Sequence, residues 1–373
     1  MDALLADRGT DIIVCCGSGG VGKTTVAAAL ALRAAEQGRT VVVLTIDPAR
    51  RLAQSMGLTE LDNTPRKVTG VDGDLDAMML DMKRTFDEIV VAHAEPAKAE
   101  QILANPFYQA LSSSFAGTQE YMAMEKLGQL KLTGSYDLIV VDTPPTRSAL
   151  DFLDAPEHLG TFLDGRLVKV LLAPAKVGGR AYFKVFGVFT NAISRIIGAA
   201  FLQDVSQFVG AMETMFGGFR ERAQGTYDLL KDPATAFVVV ATPERDALRE
   251  ASYFVDRLRK EEMPLAGLVL NRVHRSAVTG LTSGRALSAA DGLEPTSLTA
   301  GVLRLHAERV AQVRREAHLT ERFAGAHPNV PVVQVTAQPG DVHDLDGLRR
   351  VGDDLSAGGR STPSRQRTAA PTT

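Results

Sequence analysis

Cysteine is almost missing from this 373-residue sequence: there are two, adjacent at Cys15 and Cys16. Neighbouring residues on a strand point to opposite faces, so the pair makes neither a disulfide framework nor a zinc site. An excess of charge of one sign is also lacking. Lys and Arg number 41 against 44 Asp and Glu, a net charge of −3, with no clustered basic stripe. Nothing electrostatic recruits nucleic acid or anionic lipid across the whole surface, and no nucleic-acid partner is expected. No run reaches the roughly 18 uncharged apolar residues of a membrane span. The opening segment, MDALLADRGT, carries two aspartates and no long apolar stretch, so it does not read as a secretory signal. The cytoplasm is the expected compartment. No internal repeat is evident.

What is present is an ordinary globular composition, 45% hydrophobic and 23% charged, enough to bury a large core. Length alone suggests about two to three domains, although single α/β domains often run to about 250 residues. Short β-branched runs recur: Asp11–Cys16, Thr40–Asp47, Tyr136–Asp142, Phe237–Thr242, Leu265–Asn271 and Val330–Val335, with Asp74–Met82 a further candidate of ambiguous period. Thr24–Glu36 is rich in Ala and Leu and predicts a helix, with Gly38 just past its end. Strands of this kind separated by helical stretches imply βαβ units. The expected fold is α/β, a doubly wound and mostly parallel sheet buried on both faces.

The first strand runs into Gly17-Ser18-Gly19-Gly20-Val21-Gly22-Lys23-Thr24, followed by Thr25 and the predicted helix. This fits G-x-x-x-x-G-K-[ST] in the context that the motif requires, strand before and helix after. The glycines let the backbone curl so that successive N–H groups point at phosphates, reinforced by the positive helix end. Lys23 offers a point charge to the β- and γ-phosphates, and the Thr24 hydroxyl can ligate Mg²⁺. Asp142 ends the apolar strand LIVVD, where a carboxylate can hold the Mg²⁺ shell from the other side. Asp47 also ends a strand. In open α/β sheets ligands bind at the carboxyl ends of strands, where both aspartates lie, although either could be a helix N-cap instead.

Taken together, GSGGVGKTT, LTIDPARRL and VVDTPPT resemble the arsenite-pump and tail-anchored-protein-targeting ATPases, P-loop proteins of the deviant Walker A type. The likeness covers about residues 11 to 350. It is closer still to actinobacterial anion-transporting-ATPase-like proteins, which share stretches such as AGTQEYMAMEKLGQL and LDFLDAP. The resemblance implies a Mg²⁺-dependent ATPase that works as a nucleotide-driven dimer. It implies that Asp47 polarises the attacking water, that Asp142 with Thr143 and Pro145 forms the Mg²⁺-side switch, and that Glu244 and Asn271 belong to the nucleotide pocket. Asn271 would read the adenine edge, and Gln334–Asp341 would close over the base. Ser18 stands where the family has a lysine that reaches across the dimer. Arg50-Arg51 and Arg147-Ser148 replace the residues usual after the two switch aspartates, and the paired cysteines that hold zinc between subunits of the targeting factors are absent. With both cysteines in the first strand, no thiolate set for arsenite remains.

Between residues 151 and 230 the apolar strand runs stop. Seven of the fifteen phenylalanines fall in Tyr182–Phe219 at largely helical spacing, through Phe186, Phe189, Phe201, Phe208, Met212, Met215 and Phe219. This reads as a helical insertion within a P-loop ATPase domain of residues 1–356. Its stripe either packs onto the sheet or a sibling subunit, or forms a groove for a hydrophobic protein client or membrane partner. Residues 357–373 are Gly, Ser, Thr, Pro and Arg without a large apolar residue, the composition of a disordered tail. The expected function is ATP hydrolysis coupled to such a client, by a homodimer or a heterodimer with a sibling ATPase. The alternative is an ATP-binding assembly or scaffold subunit of slow turnover.

Overall fold

The computed structural model describes residues 1–46, 51–106, 108, 109, 112, 118–144, 224–278 and 280–357. Asp47, Arg50, Pro145, Arg147, Ser148, almost all of the expected insertion with its Phe and Met stripe, and the tail beyond 357 lie outside them.

The β-branched runs form eight strands: β1 (Ile12–Cys16), β2 (Thr40–Thr45), β3 (Arg66–Lys67), β4 (Asp74–Met79), β5 (Leu138–Asp142), β6 (Thr235–Ala241), β7 (Leu265–Val273) and β8 (Val332–Thr336). They make one sheet in the order β3-β4-β2-β5-β1-β6-β7-β8. Every neighbouring pair is parallel except β3 with β4. The expected mostly parallel sheet is therefore present. β3 was not foreseen, because two exposed basic residues carry no strand pattern. The third strand run ends at Met79 rather than Met82, and β8 sits one to two residues later than its apolar run suggested.

Helices cover both faces, as parallel strands require. On one side α1 (Asp2–Ala6), α2 (Lys23–Glu36), α3 (Arg51–Ser55) and α10 (Leu345–Ala357) supply Leu5, Leu30, Leu32, Leu52, Leu348 and Leu355. On the other, α4 (Met82–His93), α5 (Pro96–Ala104), α6 (Thr118–Thr133), α7 (Arg245–Lys260) and α9 (Leu298–Ala326) bury Ile89, Ile102, Leu127, Phe254 and Phe323. A short α8 (Ser283–Asp291) packs on α9. Residues 224–231 are also helical. Ala357 closes α10, so the last helix runs one residue past the expected start of the tail.

β1 divides its side chains between the two layers: Ile12, Val14 and Cys16 face one core, Ile13 and Cys15 the other. The two cysteines point apart, as strand alternation demands. Burial raises both thiol pKa values, Cys16 to about 12. α2 is the most deeply buried helix, its run of alanines letting it lie close on the sheet. That depth fixes its N-terminus directly above the end of β1, which positions the site.

The N-terminal segment is tied down by Arg39. Its buried guanidinium donates to the carbonyls of Leu5 (3.2 Å), Asp7 (3.2 Å), Thr10 (2.5 Å) and Asp137 (2.5 Å). A buried cation is tolerated only with such a shell of acceptors.

Candidate functional site

The site begins with backbone geometry. Gly17 leaves β1 at φ +150°, and a Cβ there would come within 2.1 Å of the Val240 carbonyl on the neighbouring strand. Gly22, the residue before α2, is left-handed at φ +90°, and its Cβ would lie 2.2 Å from the Asn271 Nδ2. Only glycine meets both demands, of torsion and of space. The loop between them turns the chain over the end of β1 and releases it into α2, whose first N–H groups and positive end face outward.

Lys23 opens α2 and is buried. Its ammonium donates to the Ser18 carbonyl at 2.9 Å, folded back across the loop. Thr24 Oγ1 donates to Asp142 Oδ2 at 2.7 Å, and the same oxygen accepts from Thr45 Oγ1 at 2.9 Å. Asp142 is fully buried at the end of β5, next in the sheet to β1. Thr143 ties the two strand ends together, its hydroxyl donating to the Cys15 carbonyl at 2.9 Å. Three elements (α2, β2 and β5) thus converge on one carboxylate oxygen. Hydroxyl and carboxylate are the hard oxygen donors that Mg²⁺ takes, and a threonine that donates its proton to a carboxylate keeps lone pairs for a metal. The residues present fit that ion. Among the described residues no cluster of three or more His, Cys, Asp or Glu is placed to hold a metal.

From this corner a cleft of about 1170 Å³ runs away from Asp142 towards β7 and β8. It is lined by Gly20, Gly22, Lys23, Thr24 and Thr25, by Arg51, Gln54 and Ser55 of α3, by Asn271, Arg272 and His274, and by residues 336–343. Of the segment Gln334–Asp341, Gln334, Val335 and Thr336 belong to β8, and Thr336–His343 line the cleft. Asn271 is buried, donating through Nδ2 to the Val21 carbonyl (2.8 Å) and accepting at Oδ1 from the Arg272 N–H (2.9 Å). That occupies half of its amide and leaves one N–H and one lone pair. It also joins β7 to the loop between Gly17 and Gly22, a role its sequence position did not reveal.

Of the residues picked from sequence, Gly20, Gly22, Lys23, Thr24, Thr25 and Asn271 meet in the cleft, with Asp142 touching Thr24. Gly17, Ser18, Gly19 and Val21 shape the loop behind it. Glu244, exposed at the head of α7, does not line this cleft. Asp47 lies outside the described residues. Sequence reasoning missed Thr45, two positions before Asp47, and also Arg272 and His274, which follow Asn271 directly. A scan for hydroxyls near strand ends could have found Thr45.

A family model described as anion-transporting ATPase matches residues 10–283, well over half of the sequence. The chain belongs to the anion-transporting ATPase family. Members of this family are ATP hydrolases, and the matched region holds the loop, the Thr24–Asp142 contact and β7. Related proteins include ATPase ARSA2 of Chlamydomonas reinhardtii, 31% identical over 266 residues, covering 69% of this chain and 66% of that protein. ATPase GET3 of Podospora anserina is 28% identical over 276 residues, covering 73% and 76% respectively. An ATPase ASNA1 homolog of Cryptosporidium parvum is 29% identical over 258 residues, covering 69% and 63%. The chain thus spans about two thirds of the length of two of these relatives. α9, β8 and the loop at 337–343 lie beyond the stretch that the family model matches. Among the described residues no helix is long and apolar enough to cross a membrane.

Proposed function

We propose that this anion-transporting-type ATPase hydrolyses ATP with Mg²⁺ in the cleft above β1. The phosphates lie on the loop Gly17–Thr25 and the base lies towards β7 and residues 337–343. The observation that carries this reading is the Thr24–Asp142 contact of 2.7 Å beside the buried Lys23. It gathers a hydroxyl, a carboxylate and a cation at a helix N-terminus, where polyphosphate is favoured. When bound, Mg²⁺ would neutralise charge on the β- and γ-phosphates, held by Thr24 and by Asp142. Lys23 would exchange the Ser18 carbonyl for phosphate oxygens, and the amides of Gly19 to Thr25 would cradle the rest. Asp47 is assigned to orienting the attacking water. Asn271, with its remaining N–H and lone pair, suits the N6 and N7 of adenine.

Turnover would drive a dimer between open and closed states, coupled to a hydrophobic client or membrane partner. The resemblance in sequence to the tail-anchored-protein-targeting ATPases and the Phe- and Met-rich stretch of residues 182–219 support this part. The second reading, slow turnover in a heterodimer with a sibling ATPase, is favoured by Ser18. Here the position offers a carbonyl to Lys23 and no charge of its own.

The test is phosphate release by the purified chain with and without Mg²⁺, alongside Lys23→Ala. We expect Mg²⁺-dependent release that Lys23→Ala abolishes together with ATP binding. Nucleotide affinity of the variant within about twofold of wild type would remove this loop from the mechanism. Release seen only after adding a sibling subunit would favour the second reading.

A further inference from the structure

The end of β7 departs from strand geometry. Its pairing with β8 slips between Leu270 and Val273, and Arg272 adopts φ +61°, a left-handed conformation uncommon for a residue other than glycine. In a regular strand Asn271 and Arg272 would face opposite ways. The irregularity brings Asn271, Arg272 and His274 all to the same cleft.

His274 is the most firmly held of the three. Its main-chain N–H donates to Glu316 Oε2 at 2.8 Å, and its ring Nδ1 lies 2.7 Å from Glu316 Oε1. Gln312 Nε2 donates to the same Oε1 at 3.0 Å and lies 2.9 Å from the ring Nδ1, a longer contact than that of Nδ1 with the carboxylate. Glu316 sits on α9 with a side chain only 9% exposed. A carboxylate so deeply placed must have donors around it. An ionised carboxylate only accepts, so the contact requires the proton on Nδ1. In its neutral form the ring then presents Nε2 as an acceptor, and among the described residues no hydrogen bond reaches that nitrogen. One carboxylate on a distant helix thereby fixes both the angle and the tautomer of a ring that lines the cleft.

The side of the cleft is fixed by sheet order. Asp142 on β5 lies on one flank of β1, whereas β7 lies two strands away on the other. With phosphates and metal at the first flank, the nucleoside half of a bound nucleotide falls beside β7. We propose that His274 contacts the nucleoside, its Nε2 accepting a hydrogen bond from a donor there, and that Glu316 is the positioning residue that sets it. The donor is either the exocyclic amine of adenine or a ribose hydroxyl. The proposal rests on reading the cleft as the ATP site. Glu316 and α9 lie beyond the stretch that the family model matches, and His274 lies within it.

The experiment measures calorimetric affinities of the full chain for ATP, ITP and 2′- and 3′-deoxy-ATP, in wild type, His274→Ala and Glu316→Gln. ITP lacks the amine, and each deoxynucleotide lacks one hydroxyl. Wild type is expected to bind one analogue about tenfold more weakly than ATP, the net worth of one hydrogen bond. His274→Ala should lose about tenfold of that preference for ATP; a preference over ITP is reduced rather than abolished, because Asn271 still faces the amine. Glu316→Gln keeps the side-chain shape but loses one acceptor, and should lose most of the same preference; a merely structural role would weaken all four ligands alike. Should His274→Ala not fold, His274→Gln retains a donor for Glu316 and serves in its place. The proposal is overturned if wild type binds all four equally, or if the His274 variant keeps the wild-type preference. Failure of the underlying reading is separate: wild type would bind no ATP, or bind it equally well after Lys23→Ala.

Discussion

The two flanks of β1 solve the same problem by different means. On the β5 side the site is assembled from short pieces of chain, each ending a strand or starting a helix: Gly17–Thr25, Thr45 and Asp142. On the β7 side the cleft wall depends on side chains held by groups packed behind them, Asn271 by Val21 and His274 by Glu316. Gripping phosphate needs a backbone curve and a few donors, which one contiguous motif can encode. Shaping a base wall needs side chains held by whatever happens to pack behind them. The first flank should therefore fail abruptly when broken, and the second by degrees.

The largest expected effect is on the phosphate flank. Asp47→Asn should keep ATP binding while lowering single-turnover hydrolysis by at least ~10², the lower end for a positioned general base. Loss of binding and turnover together would give Asp47 a structural or metal-shell role and weaken the contrast between flanks.

A smaller effect is expected where the flanks meet. Gly22→Ala forces a side chain into a left-handed residue and against Asn271 Nδ2, so the loop and β7 must move apart. Strain of this kind costs about 1–3 kcal/mol, and calorimetry should show ATP affinity reduced by roughly tenfold or more. Unchanged affinity would mean that the β7 latch does not brace the phosphate loop.

The smallest effect probes the floor beneath both flanks. Burial and the neighbouring Asp142 push the Cys15 thiol up, and burial pushes Cys16 up to about 12. Thiolate is the reactive form, so neither should alkylate in the native protein at pH 8, whereas both should react in denaturant. Rapid native labelling, read by mass spectrometry, would show that the end of β1 opens.

Much of the first flank was legible in sequence because its signals are local. The β-branched runs mark β1, β2, β5, β6 and β7, and the glycine spacing before Lys23 fixes where the chain turns. Asp142 was identified simply by ending an apolar run. The second flank was not legible in the same way. Asn271 stood out by resemblance, yet its bond to the loop depends on the Gly22 torsion and on β7 lying beyond β6. Glu316 is one of three acids on a 29-residue helix, and nothing in its neighbourhood points 42 residues back to His274. Arg39 was overlooked for a similar reason: its acceptors are carbonyls, which every sequence supplies and none advertises. β3 escaped because pairing, not composition, makes it a strand.

The most direct test of the central claim locates the ligand. Hydrogen–deuterium exchange of the full chain, with and without Mg²⁺–ATP, reports which amides the nucleotide covers. The account predicts strong slowing across Gly19–Thr25, with a weaker, simultaneous slowing over residues 336–343. Saturating nucleotide that leaves Gly19–Thr25 unchanged while protecting another part of the surface would contradict it.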